Sequence, residues 1–421
     1  MTKRFLILLT FVSFAGLLLA QEVSVALFYD RKPQGITLTV QKGFYLVYEN
    51  DALVDTIEIG ANINIIRESE YLVYRHRSKA FATSNSLKLV GVGDAAFFIN
   101  YTGSVEAARN YDGWLLIKRN DYFIDIIDFV PLDSYIAGVV EGKGGTLFSE
   151  EYYKAMSVLY RTLTVYKLNK HKNEGFDFCD GSHCQLYKAK AGSRVIIQAA
   201  KKTTNMVMVD RYMNIFEPLY HVNSGGVTSD GYNVTGKKCN YLKIVKDTFA
   251  VYGNSYSWKL LVPGIEWQEF LVKKGMKTAG SKLVKDLIVK QPTRLSAFKI
   301  STDSVKLDAV MSDLGWQSAF FDMTLDKSGV ITVVGKGSGH GAGISIESAQ
   351  VMASKGYTYD VILKYFYKDI HIVNVNNLNI NFNTGGVSPG RTQSIGGKAI
   401  IKKQDLIVPK IKFINLTGEI I

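Results

Sequence analysis

Between residues 22 and 130, short apolar runs recur between turn signals. Val23-Ser-Val-Ala-Leu-Phe28, Gly35-Ile-Thr-Leu-Thr-Val40, Phe44-Tyr-Leu-Val-Tyr48 and Trp114-Leu-Leu-Ile-Lys118 are rich in β-branched and aromatic residues. Lys32-Pro33-Gln34-Gly35 and Asn110-Tyr-Asp-Gly113 lie between them. Runs of this kind predict strands joined by turns, so residues 21–130 read as a β-rich N-terminal domain. No catalytic constellation stands out there. His76, flanked by Arg75 and Arg77, reads as a solvated surface residue.

The pattern changes at Pro131. Tyr152, Ala155, Met156, Leu159, Leu163 and Tyr166 recur at helical spacing. With Ser149 as N-cap and Glu150 and Glu151 in the first turn, they predict a helix over 148–170 with one buried face. Further helices are predicted at 194–204, 304–314, 345–355 and 359–367. Strands are predicted at 206–209, 219–222, 319–325 and 330–334. The fold class is therefore α+β: a β-rich N-terminal part followed by a mixed α/β body over 131–375. The Asn-, Gly- and Lys-containing tail, 376–421, reads as short strands or coil.

Charge and the N-terminus define the setting. Lys3 and Arg4 precede an apolar run from Phe5 to Leu19, with Ala20 before Gln21. This is the layout of a secretory signal peptide over residues 1–20, too short to span a bilayer comfortably. The expectation is export, to a periplasmic or cell-wall location, with no integral membrane segment after cleavage. The formal charge of +12 becomes +10 without Lys3 and Arg4. In an exported protein that excess favours anionic wall polymers or membrane surfaces, not nucleic acid.

Chemistry concentrates in three glycine-rich segments. These are Gly138-Val-Val-Glu-Gly-Lys-Gly-Gly145, Cys179-Asp-Gly-Ser-His-Cys184 with His221-Val-Asn-Ser-Gly-Gly226, and Gly335-Lys-Gly-Ser-Gly-His-Gly-Ala-Gly343. Glycine lets the backbone bend there, and His340 between glycines suits a tight turn that presents it to a cleft. The P-loop pattern Gly-x4-Gly-Lys-Ser/Thr and the elbow Gly-x-Ser-x-Gly are both absent from them. Cys179, His183 and Cys184 are candidate zinc ligands, completed by His221 or His340. A disulfide and free thiols are the other two readings.

In order along the chain, these segments resemble the SpoIID/LytB family. The resemblance rests on Pro131-Leu-Asp-Ser-Tyr-Ile-Ala-Gly-Val-Val140, on Tyr153-Lys-Ala-Met156 with Arg161-Thr162, and on Phe176 to Tyr187. His221 to Thr228 and Gly339-His-Gly-Ala-Gly-Ile-Ser345 complete it. The family implies lytic transglycosylases acting on peptidoglycan glycan strands stripped of stem peptides, or enhancers of a wall amidase. It implies a general acid three positions after the Gly-Val-Val run, and substrate-binding roles for Arg161, His221, Ser224 and His340. Here Lys143 occupies the acid's position, and Glu141 lies two residues earlier. Tyr232 and Asn233 stand where the family places acids, and Lys154-Ala-Met-Ser157 stands for Lys-Ala-Gln-Ala. The expectation is a protein that engages glycan strands with weak or lost lytic activity. The alternatives are an active enzyme using Glu141 or another acid, and an amidase-enhancing accessory protein.

Overall fold

The computed structural model describes residues 21–378. The expected signal peptide, and the tail beyond 378, lie outside these residues. Ten strands form among the described residues up to Pro131: β1 (Glu22–Ala26), β2 (Gly35–Glu49), β3 (Ala52–Ile57), β4 (Asn62–Glu68) and β5 (Tyr71–His76). They continue with β6 (Lys79–Thr83), β7 (Leu87–Tyr101), β8 (Arg109–Tyr111), β9 (Trp114–Arg119) and β10 (Ile124–Pro131). The long pair β2 and β7 runs antiparallel, with Ile36, Leu38 and Val40 opposite Tyr101, Ile99 and Phe97. Ile36, Leu38 and Val40 are buried, while Thr37 and Thr39 face outward at least in part. This period of two explains why the runs read as strands.

The same alternation corrects the reading of His76. On β5, Leu72, Tyr74 and His76 point inward, while Arg75 lies on the opposite face. His76 is buried, and its Nδ1 lies 2.7 Å from the Asp55 carboxylate.

The helical body follows as α1 (Leu132–Gly144) and α2 (Glu150–Tyr166), then β11 (Phe178–Cys179), α3 (Arg194–Lys202), β12 (Met206–Asp210), β13 (Tyr220–His221) and α4 (Gly231–Thr235). β11 adds to the sheet beside β1, giving the order β11-β1-β10-β9-β7-β2-β4-β5-β6, with β3 on β2 and β8 on β7. One hydrophobic core joins sheet and helices, from Val23, Ile36 and Phe97 to Tyr135, Leu159 and Ile196. The buried face of α2 is the one its spacing predicts.

A second core is built by residues 257–336. It contains β14 (Ser257–Pro263), α5 (Gly264–Lys273), β15 (Ala297–Ile300), β16 (Asp303–Lys306), α6 (Ala309–Leu314), β17 (Phe321–Leu325) and β18 (Val330–Lys336). Trp258, Trp267, Trp316 and Phe321 fill it, with Trp267 stacked on Trp316. The helix expected over 304–314 exists only from Ala309. Val305 and Leu307 are both buried and two apart, so Asp303–Lys306 pairs with β15 as a hairpin instead. The chain then returns to the first core through β19 (Ile344–Ser345), α7 (Ile346–Ser354), α8 (Tyr359–Phe366) and β20 (Ile370–Asn374).

Among the described residues, no helix is long and apolar enough to cross a membrane.

Candidate functional site

The first glycine-rich segment is not a loop. Residues 138–144 belong to α1, and Gly138 is there for close packing. A Cβ on it would lie 2.5 Å from the Ala189 carbonyl and 2.6 Å from the Tyr187 ring. Two residues along a helix is about 200° of rotation, so Glu141 and Lys143 leave α1 on opposite faces. Glu141 turns to the start of α3. Both of its oxygens accept from the Gly192 amide at 3.1 Å, and one accepts from the Ser193 amide at 2.8 Å. It serves as an anionic cap at a helix N-terminus, where the backbone donors favour negative charge.

Lys143 turns the other way. Its Nζ donates to the Tyr220 hydroxyl at 2.5 Å and lies about 5 Å from the ring centres of Tyr160 and Tyr220. The two rings meet edge to face at 5.5 Å. Tyr220 begins β13, which pairs in parallel with β19, bringing the second and third glycine-rich segments together.

The histidines of those segments sit side by side, their ring centres 5.8 Å apart. His221 is buried, and its Nδ1 donates to the Ala342 carbonyl at 3.1 Å. That bond assigns the tautomer and leaves Nε2 as a buried acceptor without a protein partner among the described residues. Burial holds the His221 pKa well below the usual range, and the neighbouring His340 and Arg294 push it the same way. His340 accepts from the Ala342 amide at 3.1 Å, and burial lowers its pKa too. Both rings are therefore neutral near pH 7.

Arg294 reaches this place from the second core. Its guanidinium donates to the Ser224 carbonyl at 2.8 Å and lies over the Phe320 ring. Burial pulls its pKa down to about 10. Gly341 makes room for it: a Cβ there, at φ +83°, would lie 2.7 Å from the Arg294 Cζ.

Two residues expected to bind substrate are placed elsewhere. The Ser224 side chain is fully buried, and its hydroxyl donates to Asp247 at 2.6 Å in a network with Ser348 and Ser345. Arg161 is also fully buried. It bonds Asp133 of α1 and the carbonyls of Ala200, Thr203 and Met206. Neither side chain has a surface to offer a ligand. Both connect elements of the scaffold.

The cysteine segment forms a separate group. His171, Cys179, His183 and Cys184 place four ligand-capable atoms within 4.8 Å of one another. His221 and His340 are not part of that group; His171 takes the place expected for one of them. No disulfide joins Cys179 and Cys184. His171 Nε2 lies 3.3 Å from Cys184 Sγ, and His183 Nδ1 lies 3.6 and 3.8 Å from the two sulfurs. Bonds from the Cys179 thiol and amide lower the Cys184 pKa to about 6. The signal for His171 was present in the sequence as a fourth ligand-type residue eight positions before Cys179. Arg294 and Tyr220 carried none, because each is defined by a partner far along the chain.

Comparison with known proteins agrees with this architecture. The SpoIID family, described as stage II sporulation protein, matches residues 121–209, which span α1, α2, the cysteine segment and α3. Stage II sporulation protein D of Bacillus amyloliquefaciens is 28% identical over 262 residues, covering 58% of this chain and 75% of that protein. Stage II sporulation protein D of Bacillus subtilis (strain 168) is 27% identical over 263 residues, with the same coverage. An uncharacterized protein of Brachyspira hyodysenteriae is 23% identical over 349 residues, covering 81% of this chain and 89% of that protein. In its motifs, their order and these relatives, the chain carries a SpoIID domain over residues 121–209.

Proposed function

We propose that this protein acts outside the cytoplasm, binds peptidoglycan glycan strands in the cleft around Lys143, Tyr220 and His340, and cleaves them poorly or not at all. The observation that carries the reading is the exchange of charge on α1. Where the family resemblance calls for a carboxylic acid, a lysine side chain lies against two tyrosine rings. Breaking a glycosidic bond needs a group that protonates the leaving oxygen. An ammonium is a far weaker acid than a carboxyl and a poor proton donor to so weak a base. Glu141 does not replace it, because its carboxylate is held by the Gly192 and Ser193 amides on the far side of the helix. The tyrosine rings and the basic side chains still suit a polyhydroxylated, anionic polymer.

The test is to incubate the protein with denuded glycan strands and follow both phases. The protein is expected to sediment with the strands and to release no anhydro-muramic products detectable by mass spectrometry. Anhydro products from the native chain would overturn the reading, and so would failure to sediment.

We also propose that the cysteine segment holds one zinc ion. Ligand atoms around tetrahedral zinc, at about 2.0–2.3 Å from the metal, stand about 3.3–3.8 Å apart. The His171–Cys184, His183–Cys179 and His183–Cys184 separations are of that size. Glu174 lies 2.5 Å from the other nitrogen of His171, an arrangement that orients metal-binding histidines. The ion would supply a structural cross-link between β11 and the loop leading to α3. Purified protein should contain one zinc per chain by elemental analysis, and Cys184→Ser should remove it and lower the Tm. Native protein free of zinc that takes none up on addition would exclude the site.

A further inference from the structure

The strand that leads into the helical body carries an acid with nothing to hold its charge. Asp128, on β10, is fully buried, and neither of its carboxyl oxygens has a hydrogen-bond partner among the described residues. It lies on the same face of β10 as Ile126 and Val130, the face that fills the main core. Gly113 is pressed onto it. A Cβ there would lie 1.9 Å from Asp128 Oδ1, and the Gly113 carbonyl accepts from the Tyr45 hydroxyl at 3.2 Å. The ionisable groups around Asp128 bring no counter-charge. Glu22 on β1 and Asp112 beside Gly113 have the same sign, and Tyr45, Tyr111 and Tyr187 are buried phenols. Of the cations in β8 and the strap 186–192, Arg109 pairs with Asp180, Lys190 pairs with Asp112 at 3.0 Å, and Lys188 is exposed. On β9, Lys118 and Arg119 stand opposite Asp125 and Ile124 instead. α1, which packs on β10, adds the Tyr135 ring beside Tyr187, while its Asp133, Glu141 and Lys143 are bonded elsewhere. Burial, and then Asp112 and Glu22, hold the Asp128 pKa well above the usual carboxylate range. Ionising a carboxyl in such surroundings costs far more than keeping a proton on it.

We propose that Asp128 is a neutral carboxylic acid in the folded protein, and that its proton works a latch beneath α1: the strap 186–192 seats firmly in acid and loosens where alkali removes the proton. The strap is what α1 rests on. Its Tyr187 ring and Ala189 carbonyl lie against Gly138, and its Gly192 amide donates to Glu141. An ionised Asp128 would repel Asp112, which Lys190 ties to the strap. It would also stand near the Tyr187 hydroxyl, which is buried without a partner among the described residues. In the unfolded chain this carboxyl ionises at about pH 3.9, whereas the folded protein keeps its proton to higher pH. The stability it gives is therefore fully present below about pH 4 and is lost as pH rises toward the folded-state value. Between those limits each pH unit lowers the folding equilibrium constant about tenfold through this group alone. Neither the proton nor the latch depends on what the cleft binds.

The test compares the native protein with Asp128→Asn, which keeps the shape and cannot ionise, by urea unfolding across the pH range. The ratio of the variant's folding constant to the native one should grow at least about tenfold between about pH 5 and 7. A ratio that stays constant overturns the neutral acid. Added calcium at millimolar concentration should leave both midpoints where they are. A rise in the native midpoint alone would give the neutralising role to a metal ion and overturn the proton. Amide hydrogen exchange reads the latch itself: protection over 186–192 should fall with rising pH in the native protein and hold in Asp128→Asn. Protection that changes alike in the two overturns the latch while leaving the protonated acid standing. If the variant does not fold, the infrared spectrum of the native protein decides, and the absence of a protonated-carboxyl stretch at neutral pH overturns the assignment.

Discussion

Lys143→Glu should convert a binding cleft into a cutting one. With denuded strands as substrate, this variant is expected to release anhydro-muramic products at least about tenfold above the native background. Lys143→Gln should stay silent. The position favours the chemistry for two reasons. A carboxyl in the last turn of α1 faces the negative end of the helix dipole, and it would be half-buried between the Tyr160 and Tyr220 rings. Both effects disfavour the ionised form and raise its pKa toward the value a general acid needs. The Tyr220 hydroxyl, now the acceptor for Lys143, would instead orient the new acid. Recovery should be partial, because general acid catalysis accounts for about 10²–10⁴ of a rate, and Tyr232 and Asn233 remain changed. The exchange also discards a favourable lysine–dipole interaction, so stability falls by about 0.3–1 kcal/mol and Tm drops slightly. A variant that binds strands as the native protein does yet stays silent would show that the cleft lacks more than its acid.

The second large effect is on stability. Arg161→Ala should cost about 3–5 kcal/mol, read as a fall in the midpoint of urea unfolding followed by circular dichroism. The side chain is fully buried and spends its guanidinium on one carboxylate and three carbonyls. Two of those carbonyls, Ala200 and Thr203, lie at the end of α3, where helix geometry leaves acceptors unsatisfied. Removing the arginine takes a charged donor from each of them, leaves Asp133 without its cation, and opens a cavity between α1, α2 and α3. Arg161→Lys should recover part of the loss, since one ammonium cannot reach all four acceptors in a planar fork. A midpoint change equivalent to less than about 1 kcal/mol would show that the clamp is not a main support of the fold. Glycan binding by whatever fraction stays folded should be unchanged.

Local pattern carried much of the architecture. The helices at α2, α3, α7 and α8 fall within four residues of their expected limits, because each has a periodic apolar face that survives in the final packing. The N-terminal strands were legible for the same reason at period two. Errors arose where a residue type has two physical uses. Glycine at 138 and 142 suggested a bend, and the helix uses it for contact with Tyr187, Ala189 and Leu186. Arginines on either side of His76 suggested solvent, although Arg75 lies on the opposite face of β5 and Arg77 in the turn that follows it.

The amino-acid order was enough for most of the elements, the α+β class and the likeness of residues 121–209 to SpoIID. Each is written in neighbouring residues or in motif order. Tertiary structure alone decided that Glu141 caps α3, that His171 completes the cysteine group, and that Arg161 and Ser224 serve the scaffold. It also decided that Arg294 meets Gly341 across 46 intervening positions. Hydrophobic periodicity specifies which face of an element is buried, but not which distant polar group will be waiting there. That pairing follows from the packing of whole elements, whose geometry depends on every side chain in the core.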